Sequence, residues 1–273
     1  MPTVRHPATV ILSIDIDAGL DRDDAALSRQ VDAHAAALAR QLTTEDLAAT
    51  WAATDLAACE TVEYLARHHA QELAVLADGS WAGAEAPRAK FAAALARRLD
   101  DVPAAAHTPH TLVMHDAGLP ADIDVLIKHG IKAVRTSPPA PAGVRRGGWL
   151  GRIVSMLKGS GRRAGIEAQP RTVRWGVWEL SATHVLPECG LRRTLKCIDR
   201  AIADGAMLHL VVDVMRMVGD GAASVSVTDK LVRHLTRGRD EGVLHVETVS
   251  GVVERQMRSL QGRPARSILK HAA

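Results

Sequence analysis

The chain has 273 residues, of which 47% are hydrophobic and 24% charged, with a mean hydropathy of −0.01. That balance excludes collagen-like, disordered and membrane-embedded classes and allows one large core. Lys and Arg total 34 against 31 Asp and Glu, a net charge of +3 that does not make the whole molecule a nucleic-acid binder, and five Trp, one Tyr and one Phe furnish few base-stacking platforms.

Cys59, Cys189 and Cys197 cannot all pair, and none stands in a Cys-x-x-Cys spacing. A reduced, intracellular setting follows, and we expect a cytoplasmic protein. The first residues show no basic, apolar and small-residue succession of a secretory leader, and no stretch approaches the roughly 18 uninterrupted apolar residues of a membrane span.

From the N-terminus, Thr9–Ile14 has strand character and Asp24–Leu42 has apolar residues at helical spacing. The alternation repeats through strand Ala48–Ala53, helix Asp55–His68, strand Glu72–Ala77, helix Ala84–Leu99, strand Thr111–His115, helix Pro120–His129 and strand Ile131–Arg135. After an interruption come strand Thr172–Leu180, helix Leu191–Asp204, strand Met207–Val214, helix Thr228–Glu241, strand Val243–Val246 and helix Ser250–Leu260. Asp55 and Thr228 read as N-caps, and Gly130, Gly205 and Gly242 as the glycines that end helices. Seven or eight βα units predict an α/β fold, an irregular (β/α)7-8 barrel forming a single domain over 1–262 with a basic C-terminal tail, 263–273. A doubly wound parallel sheet is the runner-up.

The interruption, 136–170, holds four prolines and reads as a long loop on one rim. Arg145, Arg146, Arg152, Lys158, Arg162 and Arg163 face a single acid there, Glu167, beside the apolar residues Trp149, Leu150, Ile153 and Leu157. Such a segment suits an anionic partner, protein or lipid surface, or else folds inward as a lid. Gly159-Ser160-Gly161 within it neither follows a strand nor opens a helix, so it reads as loop rather than phosphate cradle.

In a parallel barrel, reactive groups stand at the C-terminal ends of strands. That rule selects Asp15, Asp17, Thr54, Asp55, Asp78, Ser80, Trp81, His115, Asp116, Arg135, Glu179, Asp213 and Glu247, with His209 inside its strand. Asp15 and Asp17 are the most informative pair, because a period of two sends both carboxylates to one side of a buried strand, as a general base beside a metal ligand or as a strand-end acid pair. His68 and His69 at a helix end, and His107 and His110 around Pro109, read as structural or solvated. Cys189 and Cys197 read as packing residues. No Gly-x-Gly-x-x-Gly, Walker loop, Gly-x-Ser-x-Gly or His-Glu-x-x-His occurs.

Ser13-Ile14-Asp15-Ile16-Asp17, followed by Ala49 to Ala57 and Gln71 to Val75, resembles the opening of the polysaccharide deacetylase (NodB-homology) superfamily. Gly130 to Pro139 is similar to that family's Gly…Arg-x-Pro-Pro segment, and Met207 to Val214 to its late Leu-His-x-x-x-His-Pro strand. The resemblance spans about Thr9 to Glu254. It implies a distorted (β/α) barrel and hydrolysis of N- or O-acetyl groups by a divalent metal held by one Asp and two His, with Asp15 as base and Asp17 as metal ligand.

Where the resemblance puts the two metal-binding histidines, this chain has Leu76 and Ser80, and Asp213 stands in place of the late histidine. Leucine ligates no metal, so that three-residue site cannot assemble. The expected catalytic set is therefore Asp15, Asp17, Arg135, His209 and Asp213, with no cofactor required; a divalent metal enters only through a rebuilt oxygen-rich set of Asp17, Asp78 and His115. Three functions fit: a deacetylase-like barrel that has lost metal-dependent hydrolysis and keeps a cleft for a small or carbohydrate-like ligand; an amide hydrolase acting on carbon–nitrogen bonds through the rebuilt site; and a non-catalytic scaffold docking through 136–170. The apolar patch in 149–157 is compatible with self-association, and the sequence does not fix the oligomeric state.

Overall fold

A computed structural model describes residues 6–17, 25–57, 59–103, 106–115, 117–137, 169–219 and 223–261. The expectations for 138–168, Asp116 and the tail 263–273 lie outside these residues.

Among the described residues ten strands form one sheet: β1 (Ala8–Asp15), β2 (Ala49–Ala53), β3 (Gln71–Ala77), β4 (Thr111–Met114), β5 (Ala133–Thr136), β6 (Arg171–Thr172), β7 (Trp178–Ser181), β8 (His184–Leu186), β9 (Met207–Asp213) and β10 (Leu244–Glu247). The helices among the described residues are α1 (Ala25–Thr44), α2 (Glu60–Leu65), α3 (Gly79–Ala82), α4 (Arg88–Asp100), α5 (Ile123–Lys128), α6 (Leu191–Asp204), α7 (Val214–Gly219), α8 (Ala223–Asp240) and α9 (Val249–Gln261). No helix is long and apolar enough to cross a membrane among the described residues.

The sheet order is β6-β7-β5-β4-β3-β2-β1-β9-β8, with β10 beside β1, and every pairing is parallel except β6 with β7. All eight residues of β1 are buried, as a parallel strand covered on both faces requires. Val10, Leu12 and Ile14 join the large cluster that packs the sheet against the helices, whereas Ile11 joins Ala133, Trp178 and Leu180 in a separate one with Val249, Val252 and Val253 of α9. Ile11 and Ala133 come from strands with three others between them, so the sheet curls until its concave face meets itself, and α9 fills the N-terminal end. Between β7 and β8 the chain bridges the seam: Ala182 N donates to the Thr136 carbonyl and Thr183 N to that of His209, both at 3.0 Å. This is the expected α/β barrel, irregular and laced shut by one crossing segment rather than by a β7–β8 ladder.

A polar knot fastens the N-terminal end. Glu72 accepts from Thr50 Oγ1 at 2.7 Å, Thr111 Oγ1 at 2.5 Å and Ser250 N at 3.0 Å, and Thr50 Oγ1 accepts from Val249 N at 2.8 Å, so one carboxylate joins β2, β3, β4 and α9.

Most expected elements are present, with instructive differences. The expected helix 55–68 is confined to Glu60–Leu65, because Asp55 accepts from Ala57 N at 3.1 Å and makes a local turn instead of an N-cap. Thr228 lies inside α8, not at its start. The single strand expected over Thr172–Leu180 is a hairpin: Trp175 and Gly176 both have positive φ, 49° and 85°, and reverse the chain between β6 and β7. Gly130, Gly205 and Gly242 end helices with φ of 76°, 62° and 69° as expected, and a Cβ at Gly205 would stand 3.1 Å from the His6 carbonyl.

Candidate functional site

The C-terminal ends of β1, β5 and β9 bring four of the expected site residues together. Asp15 and Asp213 are register partners on adjacent strands, so two buried carboxylates sit side by side. Each has its own arginine. Arg135 Nη2, reaching across the barrel from β5, donates to Asp15 Oδ2 at 2.6 Å, and both side chains are almost fully enclosed, at 2% and 3% exposure. Asp213 accepts from Arg216 N at 3.0 Å through Oδ1 and pairs with Arg216 Nε at 3.1 Å through Oδ2, and Arg216 also pairs with Glu188. The Asp15–Asp213 repulsion is thereby offset by two guanidinium groups held in place by α7 and β5.

His209 lies four residues below Asp213 on β9, level with Ile11 and fully buried, with Nε2 2.8 Å from Ser13 Oγ. Burial pushes its imidazolium down to about 3, Arg135 adding to the shift and the Ser181 backbone opposing it, so the ring is neutral. Asp17, just past β1, is held differently: Oδ1 accepts from Thr54 N at 2.8 Å and Oδ2 from Thr54 Oγ1 at 2.5 Å. Arg98 Nε donates to the Thr54 carbonyl at 3.1 Å and its guanidinium stacks over Trp81 at 4.2 Å, which ties the Asp17 clasp to α4.

The remaining candidates are elsewhere engaged. Asp78 caps α3, accepting from Ser80 N at 2.7 Å, and His115 is half-buried at the end of β4. Among the described residues no three His, Cys, Asp or Glu side chains are grouped so as to hold a metal ion, and Asp17, Asp78 and His115 do not come together as a ligand set. Leu76, where the family resemblance puts a histidine, is buried with Ala52, Ala74 and Val113 in an apolar cluster, and Ser80 is exposed on α3. Hydrocarbon occupies the position that a ligand nitrogen would need, and Asp17 already accepts two hydrogen bonds, so these residues do not fit a divalent ion of the family's kind. Glu179 is committed to Arg171 at 2.5 Å and Thr136 at 3.0 Å. Glu247 is not on the rim at all: β10 pairs with Ala8–Ile11, so its last residue stops level with Ile11, four residues short of Asp15.

Ser13 and Arg98 were missed by sequence reasoning. Ser13 has the signal, since it shares the inner face with Asp15 at a period of two; Arg98, in the last turn of an ordinary amphipathic helix, has none.

No protein-family model matches the chain, and no curated protein matches it. Solved structures do. A protein from Mycobacterium smegmatis assigned as a polysaccharide deacetylase is 12% identical and superposes over 100% of this chain and 97% of its own with a TM-score of 0.64. The fold is that of the polysaccharide-deacetylase barrel. A 4-alpha-glucanotransferase from Thermococcus litoralis is also similar, at 9% identity and TM-score 0.53 over 92% of this chain and 40% of its own. An assigned polysaccharide deacetylase involved in O-antigen biosynthesis in Bordetella bronchiseptica gives 15% identity and a TM-score of 0.45, over 92% and 90%. The buried Asp15–Arg135 pair and the Asp17 clasp lie at the C-terminal end of β1. Likeness of fold carries no activity with it.

Proposed function

We propose that this deacetylase-type barrel does not hydrolyse acetyl groups by a metal-dependent route and instead binds a neutral, carbohydrate-like ligand at Asp15, Arg135 and His209. The observation that carries the reading is a set of stranded polar atoms: Arg135 Nε and Nη1 and Asp15 Oδ1 are buried with no hydrogen-bond partner. Native proteins leave few such atoms unsatisfied, because each costs about 1–3 kcal/mol. The ion pair has no net charge, so it does not select an ion. A donor pair beside an acceptor is met by a group that both accepts and donates, and a hydroxyl does so.

In this arrangement Arg135 orients and neutralises Asp15, His209 contributes a neutral ring fixed by Ser13, and Asp17 positions the β1–β2 edge through Thr54. Leu76 in place of a ligand supports the loss of metal chemistry. The test is a titration of the full chain with cellobiose and diacetylchitobiose. We expect millimolar or tighter binding of at least one disaccharide, weakened about tenfold by Arg135→Lys, which keeps the cation but removes the planar fork. Absence of saturable binding to wild type, or equal binding by Arg135→Lys, overturns the reading.

A further inference from the structure

The opposite mouth of the barrel carries chemistry that the rim does not use. At the N-terminal ends of β3 and β4 a cavity of about 520 Å³ is lined by His68, His69, His107 and His110, together with Glu72 and Glu254. Its histidines come from two separate segments, one leading into β3 and the other into β4.

His69 Nδ1 and His107 Nε2 stand 3.1 Å apart, with ring centroids at 5.3 Å and planes tilted by 42°. Two ring nitrogens in that position share either one proton or one cation. A divalent ion with bonds of about 2.0–2.1 Å to imidazole holds two neighbouring ligands about 2.9–3.4 Å apart, so small ring rotations suffice for chelation. His110, on the same cavity wall, donates Nδ1–H to the Gly130 carbonyl at 3.1 Å. That bond fixes the tautomer whose Nε2 keeps its lone pair, the arrangement in which backbone carbonyls hold ligating histidines.

The same wall argues against a hard ion. Glu72 is already spent on Thr50, Thr111 and Ser250, and Glu254 forms no ligand group with the two histidines, so imidazole is the donor at the pair, and imidazole suits zinc, nickel and copper over magnesium or calcium. Among the described residues no group of three potential ligand side chains is formed, so the site is an open one in which water completes the coordination shell. We propose that the N-terminal mouth of the barrel binds one divalent transition ion between His69 and His107.

The proposal is independent of the rim reading, and its test separates the two. The full chain is titrated calorimetrically with zinc chloride at neutral pH, in parallel with His69→Ala, His107→Ala and Asp17→Asn. Because both histidines are exposed, their replacement leaves the urea midpoint in place. The expected result is one ion per wild-type chain with a dissociation constant on the order of micromolar, weakened about tenfold or more in each histidine variant and unchanged in Asp17→Asn. No saturable zinc binding by wild type, or equal affinity in wild type and both histidine variants, overturns it. Binding lost only in Asp17→Asn also overturns it, and overturns the metal-free rim reading as well.

Discussion

Replacing Asp15 by Ala is expected to destabilise the protein by about 3–5 kcal/mol, because it strands the Arg135 cation in a site with 2% exposure. Arg135→Met is expected to cost more than Asp15→Asn, since it leaves the Asp15 carboxylate buried, without its cation, directly beside its register partner Asp213. The double variant Asp15→Leu/Arg135→Met removes both charges together and so loses far less than the sum of the single losses, with a coupling of about 2 kcal/mol or more. Urea unfolding of wild type, Asp15→Leu, Arg135→Met and the double variant measures this. Losses that simply add would show that Asp15 and Arg135 do not form a closed pair in solution.

The second large effect is an acid limb set by His209. The folded protein holds this ring neutral down to about pH 3, whereas the unfolded chain protonates it near the ordinary histidine value of 6.5. Between those values the unfolded state binds a proton that the folded state refuses, so stability falls as pH falls, by about 1.4 kcal/mol per pH unit from this one group. At pH 4 the loss is about 3 kcal/mol. His209→Gln keeps a polar partner for Ser13 but takes up no proton, so its stability should depend less on pH, approaching or passing wild type as the solution is acidified. Parallel curves for the two proteins between pH 7 and pH 4 would show that His209 is solvated or charged in the fold.

How far these features can be read from the chain depends on the range of the interaction that makes them. The β1 run, its flanking helix and the terminal glycines Gly130, Gly205 and Gly242 are legible because strand burial and left-handed helix ends are written into neighbouring residues. Asp15 and Arg135 can each be singled out, but not their bond: it joins residues 120 apart and exists only once the sheet curls. Arg216, which neutralises Asp213, sits in the short helix α7, just past the expected strand Met207–Val214 and in a stretch assigned to no element. Glu247 fails for a related reason, since strand-end logic assumes strands of equal height and β10 pairs low on β1. The His69–His107 contact joins a helix-end pair that reads as structural to a loop that reads as solvated.

Acetate release tests most directly the proposal that this barrel does not carry out metal-dependent deacetylation. Wild-type protein and Asp17→Asn are incubated with diacetylchitobiose and with an acetylated xylo-oligosaccharide, with and without added zinc or cobalt. With Leu76 in the apolar cluster and Asp17 bound by Thr54, wild type should release no more acetate than Asp17→Asn under any of these conditions. Metal-stimulated release by wild type that disappears in Asp17→Asn would contradict the account.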